Sequence, residues 1–187
     1  MKVSNIQVYD LFESIVASGF PMLVKFDAKN FDAGVTFLRS EYKTRNWASN
    51  KHVKRAVSLA QTPVGSGHDN FLSGVVVSFN VTASQTWWLQ FGRYHFAQIV
   101  SSQSKMHRLR QMLGEEKTEG KNDMELIAEC PMSFELTARV TTNYRQLRTI
   151  YQQRKNHRLE EWRTFCDFIE RLPLAKDLLC PCVTDAL

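Results

Sequence analysis

From Gly74 to Val81 the chain reads GVVVSFNV, with Val75, Val77, Phe79 and Val81 alternating with Val76, Ser78 and Asn80. Successive strand residues point to opposite faces, so this two-residue period predicts a strand with one face on a core. A second run of the same period, SFELTARVT from Ser133 to Thr141, puts Phe134, Leu136, Ala138 and Val140 on one face. Glu135, Thr137 and Arg139 fall on the other. The two strands belong in one sheet. The expected fold is α/β in the α+β sense: a central, mostly antiparallel sheet flanked by helices, in a single domain over residues 1–187.

Outward from the first strand, Ser84 or Thr86 is placed to cap a helix that carries WWLQF, Trp87 to Phe91. Upstream, Asn5 to Ala17 reads as an amphipathic helix with Ile6, Leu11, Ile15 and Val16 among its apolar positions. Pro21 to Asp27 reads as a short strand. Tyr42 to Arg55 is basic and polar, Val53 to Ala60 is helical, and Thr62 to Asn70 is a loop of turn formers holding His68. Downstream, the charged segment 114–123, GEEKTEGKND, is expected to be a surface loop. Asn143 to Arg154 forms a helix with Asn143, Leu147, Ile150 and Arg154 on one face. After the basic break at Lys155 to Arg158, a last helix carries Trp162, Phe165, Cys166 and Ile169 and stops near Pro173.

At 187 residues the chain is long enough for one ordinary core. Its net charge of +5 suits a phosphate-bearing partner, although many proteins with this excess bind nothing anionic. Cys130, Cys166, Cys180 and Cys182 lack framework spacing, and the sequence contains neither a secretory h-region nor an apolar run of membrane-spanning length. A cytoplasmic protein with reduced thiols is expected, with no membrane partner. Cys180 and Cys182 form a lone CPC without the second ligand pair zinc needs, so no metal is expected.

Chemistry concentrates between Gln90 and His107, QFGRYHFAQIVSSQSKMH. Arg93 and His95 follow two apolar runs and are expected where burial is expensive, so each calls for an anionic partner. Ser101, Ser102, Ser104 and Lys105 offer hydroxyl and ammonium donors to a phosphate, or form an ordinary polar turn. Trp87, Trp88 and Phe91 suit a core or subunit interface better than a stacking platform. Arg154 closes an apolar stripe, where it either points inward to an anion or ends the helix and reaches water.

Taken together, the order Gly67-His68, VVVSFNV, Gln90, Arg93 and then Asn143, Arg145, Leu147 and Arg154 resembles the flavin-dependent thymidylate synthases. In that family a Gly-His turn precedes a strand and a helix, whose glutamine stands three residues before the first arginine of an Arg-His-Arg signature. A serine-containing nucleotide loop follows. The resemblance covers roughly His68 to His107 and Pro131 to Arg163 and makes 1–187 a single thymidylate-synthase-like domain.

The resemblance implies a homotetramer whose sites are built by several subunits, with FAD bound. NADPH and methylenetetrahydrofolate would be co-substrates, and a one-carbon unit would pass to C5 of a deoxypyrimidine monophosphate, dUMP in the leading case. It implies that Arg154 is catalytic and that Gln90, Arg93, Ser102, Ser104, Lys105 and Arg154 bind substrate. His68, Arg93, Tyr94, His95, Asn143 and Arg145 would hold the cofactor.

The departures are specific: Tyr94 and His95 stand for the histidine and second arginine of the signature. Val100 and Ser101 replace an asparagine-glutamate pair, Ile127 replaces a phosphate-binding arginine, and Thr149 replaces an amide. His107, Arg108 and Arg110 are candidates to supply the missing cation. Three alternatives therefore stay open: pyrimidine hydroxymethylation on the same fold, a non-catalytic nucleotide-binding relative, and a nucleic-acid-binding protein. The last ranks lowest because Glu115, Glu116 and Glu119 interrupt the basic surface.

Overall fold

The two alternating segments are the central strands of an antiparallel sheet, β2 (Val76–Ser84) and β4 (Glu135–Asn143), paired residue for residue from Val76↔Asn143 to Ser84↔Glu135. A computed structural model describes residues 1–63, 66–113 and 118–180 of the chain. The four-stranded sheet runs β1-β2-β4-β3, with β1 (Lys2–Tyr9) and β3 (Gln98–Ser102) at its edges. Every neighbouring pair is antiparallel.

Val77, Phe79, Val81 and Val140 are fully buried, as their period requires. On the opposite face the Ser78 and Thr141 hydroxyls meet at 2.9 Å and those of Thr82 and Thr137 at 2.8 Å. The described helices are α1 (Leu11–Ala17), α2 (Ala28–Lys43), α3 (Lys51–Ala60), α4 (Gln85–Phe91), α5 (Lys105–Leu113), α6 (Asp123–Glu129), α7 (Tyr144–Arg154), α8 (Glu160–Glu170) and α9 (Ala175–Leu178), and all but α5 and α6 send residues into the core. Phe79, Trp87, Phe91, Trp162 and Phe165 join in the core, with Trp87 stacked on Phe91 at 4.6 Å. This places the aromatic cluster in the core, with half-buried Trp88 donating its indole N–H to the Leu136 carbonyl. Among the described residues, no helix is long and apolar enough to cross a membrane.

Two N-terminal expectations are corrected. Asn5 to Ala17 is not one helix, because β1 occupies Lys2–Tyr9 and only Leu11–Ala17 is helical. A bulge between Ser4 and Gln7, with Asn5 at φ 51°, breaks the strand's period and leaves Ile6 exposed. Pro21 to Asp27 is not a strand. Phe20–Met22 is a 3-10 turn, and Asp27 accepts from the Lys29 amide as the N-cap of α2. Among the described residues, no strand lies alongside to take its backbone hydrogen bonds.

Residues 64 and 65 of the 62–70 loop, 114–117 of the charged segment, including Glu115 and Glu116, and Cys182 lie outside the described residues. The rest of the charged segment leads into a capping box at Asn122, whose side chain accepts from the Met124 and Glu125 amides.

Candidate functional site

The central strands each end in a capping residue and continue directly into a helix. At the end of β2, the Ser84 hydroxyl accepts from the Trp87 amide at 3.2 Å, opening α4. Ser84 also donates its amide and hydroxyl to the Glu161 carboxylate, tying this junction to α8. At the end of β4, the Asn143 amide oxygen accepts from the Gln146 N–H at 2.9 Å, opening α7. Both caps satisfy donors that a helix start leaves open.

The far ends of these two helices meet. Arg154, the last residue of α7, donates from Nε to the Tyr94 hydroxyl at 2.8 Å and from Nη1 to Gln90 Oε1 at 3.4 Å. Its guanidinium carbon lies 4.6 Å from the centre of the Trp162 ring and 5.7 Å from that of Tyr94. Gln90 Oε1 also accepts from Trp162 Nε1 at 2.8 Å, and the Tyr94 hydroxyl donates to Gln153 Oε1 at 3.0 Å. Arg154 thus has a fixed orientation, with Nη2 free of any hydrogen bond among the described residues. No described carboxylate pairs with it. Nearby His157 has its pKa lowered by burial and then by Arg154 and Arg158, consistent with a positive surround.

Arg93 and His95 are not buried. Helix α4 stops at Phe91, Gly92 caps it, and the turn that follows sends Arg93 and His95 into solvent while Tyr94 takes the inward place. Arg93 follows the end of α4 rather than sharing its face, although its amide still bonds the Gln90 carbonyl at 3.3 Å. Neither side chain has a hydrogen bond or ion pair among the described residues.

A second cluster sits at the opposite end of α7. Asp69 is fully buried between two arginines: Arg148 Nη1 donates to Oδ2 at 3.1 Å, and Arg145 Nη2 lies 3.2 Å from Oδ1. The Arg145 contact is an ion pair without hydrogen-bond geometry, since Oδ1 accepts from no donor. Arg148, only 3 % exposed, also donates to the Thr62 carbonyl at 3.0 Å. Burial lowers its pKa and Asp69 raises it again. These bonds fix the loop that carries His68, and Gly67 at φ +82° supplies its left-handed turn. His68 is exposed and lines a cavity of about 690 Å³ with Ser14, Ser18, Arg55 and Phe71.

The third group corrects the reading of SSQSK as one turn. Ser101 and Ser102 belong to β3, opposite Arg139 and Ala138 of β4, and only Gln103 and Ser104 turn before α5 begins at Lys105. Ser104 borders a shallow depression of about 350 Å³ with Gln103, His107, Arg108, Gln111 and Met112. Arg108 donates to Gln103 Oε1 at 2.6 Å, while its buried Nε has no partner. Arg110 is committed to Asp123 and the Lys121 carbonyl. Of the three candidate replacement cations, His107 and Arg108 border the depression.

Sequence reasoning missed Asp69, Arg148, Gln153 and the hydrogen-bonding part of Trp162. Trp162 was legible only as core, because nothing in its spacing points to Gln90, 72 residues away.

The arrangement has one geometric consequence. Arg145 and Arg154 lie nine positions apart on α7, which at ~1.5 Å and about 100° per residue puts them roughly 14 Å apart on opposite sides of the helix. The residues around Arg145 and those around Arg154 therefore face different regions of the chain's surface.

Two solved structures of the flavin-dependent thymidylate synthase ThyX from Helicobacter pylori, each complexed with FAD and dUMP, share this fold. One aligns with a TM-score of 0.62 at 14% identity, covering 96% of this chain and 97% of that one. The other gives 0.64 at 13% identity, with the same coverage. No protein-family model matches the chain. No curated protein sequence matches it either.

Proposed function

We propose that this chain is a cytoplasmic, flavin-dependent transferase that moves a one-carbon unit from methylenetetrahydrofolate to C5 of a deoxypyrimidine monophosphate. The leading case is thymidylate synthesis from dUMP, with NADPH as reductant. The observation that carries the reading is the meeting of Gln90, Tyr94 and Arg154, an oriented guanidinium with a free donor and no described carboxylate to neutralise it. The fold is shared with an enzyme whose structures hold FAD and dUMP, which supports the choice of ligands.

In this reading Arg154 donates from Nη2 to a carbonyl oxygen of the pyrimidine and stabilises the charge that grows as C5 becomes nucleophilic. Gln90 spends its oxygen on Arg154 and Trp162, so it positions the arginine and offers only its amide N–H groups to a ligand. Ser102, Ser104 and Lys105 receive the phosphate, with Arg108 alongside. The Arg108 guanidinium bordering the depression supports an anion there.

The residues available for FAD fit it chemically. Arg93 and His95 are exposed and unpaired among the described residues, which leaves a guanidinium and an imidazole N–H open to a pyrophosphate, and His68 borders a cavity. Arg93, Tyr94 and His95 would hold it together with His68, Asn143 and Arg145. The Asn143 oxygen is occupied in capping α7, so its contribution is an N–H donor. FAD, when bound, supplies the two-electron chemistry of the transfer. The opposed directions of Arg145 and Arg154 support a site completed by other copies, and the reading takes a homotetramer as the assembly.

The test is to mix purified protein with FAD, then add NADPH, methylenetetrahydrofolate and either dUMP or dCMP, and identify the nucleotide by mass. A yellow protein and a methylated dUMP are expected. A hydroxymethyl product would move the assignment to the sister chemistry, and a chain that stays colourless in excess FAD would remove flavin chemistry altogether.

A further inference from the structure

We propose that the cavity between the Phe20–Met22 turn, α2 and α3 binds a small aromatic anion. It measures about 620 Å³, inside the ~300–1,000 Å³ typical of small-molecule sites. Phe20, Phe26 and Phe31 line it, with ring centroids 5.5, 5.6 and 6.2 Å apart in edge-on and tilted arrangements. Phe20 and Phe26 remain 43 % and 56 % exposed, so folding leaves much of two rings in water. Exposed apolar surface gathered into a concave patch marks a place to bind.

The charge around these rings is one-sided. Lys25 and Lys51 border the cavity, and neither ammonium has a hydrogen bond or ion pair among the described residues. Arg55 forms another part of the wall: Nε donates to the Ser18 hydroxyl at 3.1 Å and Nη2 to the Val16 carbonyl at 3.0 Å, while Nη1 has no hydrogen bond among the described residues. It contributes its field. The one lining carboxylate, Asp27, accepts from the Lys29 amide and the Asn30 side chain, and is held at the cap of α2. Aromatic walls with two free ammonium groups select a flat apolar body carrying a negative charge. Arg55 also borders the His68 cavity, so it separates the two spaces, and this site stands whether or not the chain binds flavin.

The probe is 8-anilinonaphthalene-1-sulfonate, titrated into the full-length protein and followed by fluorescence, with uncharged N-phenyl-1-naphthylamine as its partner. Saturable binding at one site is expected, weaker for the uncharged ring. Lys25→Glu/Lys51→Glu should raise Kd about tenfold, equivalent to ~1.4 kcal/mol, and Phe26→Ala should weaken both probes. Folding should survive, since Phe26 lies in an exposed irregular segment and an acidic residue suits position 51 at the start of α3. Circular dichroism checks this for each variant. Unsaturable fluorescence, or unchanged affinity in either variant, overturns the proposal. So does a dimer that Phe26→Ala dissociates, which would give the rings to a second copy.

Discussion

Removing Asp69 should be among the most damaging single changes this chain can suffer. The carboxylate is fully buried, and Arg148 beside it is 3 % exposed, so Asp69→Ala leaves a guanidinium in the interior with only the Thr62 carbonyl. Breaking a buried pair from one side costs ~3–5 kcal/mol. At this chain length that corresponds to a fall in Tm of roughly 6–20 °C, taking about 2–4 °C per kcal/mol. Arg148→Ala should cost less, because Asp69 keeps Arg145 at 3.2 Å, a side chain 34 % exposed and so able to share the charge with water. The double variant should be less destabilised than the two singles added together, with a coupling of ~2–3 kcal/mol. Equilibrium urea denaturation of the four proteins at neutral pH, fitted with a common m-value, gives that coupling directly. Additivity within ~0.5 kcal/mol would refute the reasoning, because it would mean that neither charge depends on the other.

Tyr94→Phe removes the hydroxyl that accepts from Arg154 and donates to Gln153; we expect a loss of ~1 kcal/mol in urea and a larger proportional drop in turnover than in flavin affinity. Arg154→Lys, which keeps charge but loses the fork of donors to Tyr94 and Gln90, should lower kcat in the product assay while leaving Tm within about 4 °C, since such partly exposed hydrogen bonds are worth ~1 kcal/mol. Ser84→Ala removes the cap of α4 and the partner of Glu161, and should cost ~1–2 kcal/mol by thermal denaturation; an unchanged midpoint would show the Glu161 contact to be idle. Burial, with Cys180 nearby, pushes the Cys166 thiol up to about 12 from its usual 9.0. Above about pH 9 the unfolded chain therefore sheds a proton that the folded chain keeps, so stability should decline from there towards pH 12. At pH 8, peptide-level mass spectrometry should find half-exposed Cys130 alkylated well before Cys166, and equal labelling would contradict the burial.

How much of this was legible in the sequence follows from what each segment touches. Val76 to Val81 lies between two paired strands and packs on one face, so its alternation survives intact. Edge strands carry no such record: all five residues of β3 are exposed, and β1 is interrupted by its bulge. Leu23, Val24 and Phe26 looked like a strand because they are apolar, yet all three are exposed, Leu23 and Phe26 at the edge of a cavity, rather than paired. Helix α2 escaped notice because it buries only Val35 and Leu38 over sixteen residues. For the site, the resemblance named Gln90 and Arg154, and their side chains meet at 3.4 Å. Arg93 was expected inside because its neighbours are apolar, but the end of α4 at Phe91 turned it outward. The Asp69–Arg148 pair spans 79 residues and has no local periodicity to betray it.

The two strand-to-helix junctions bear on how this chain can change over evolutionary time. Gln90 and Arg154 touch because each stands a fixed number of residues beyond a pinned start, Ser84 in one case and Asn143 in the other. Each added or deleted residue between start and end would swing the terminal side chain by about 100° and slide it ~1.5 Å. Composition along these two helices is thus free to drift wherever the core permits. Their lengths are not, so insertions and deletions in descendants of this chain should collect in the connections outside 84–90 and 143–154.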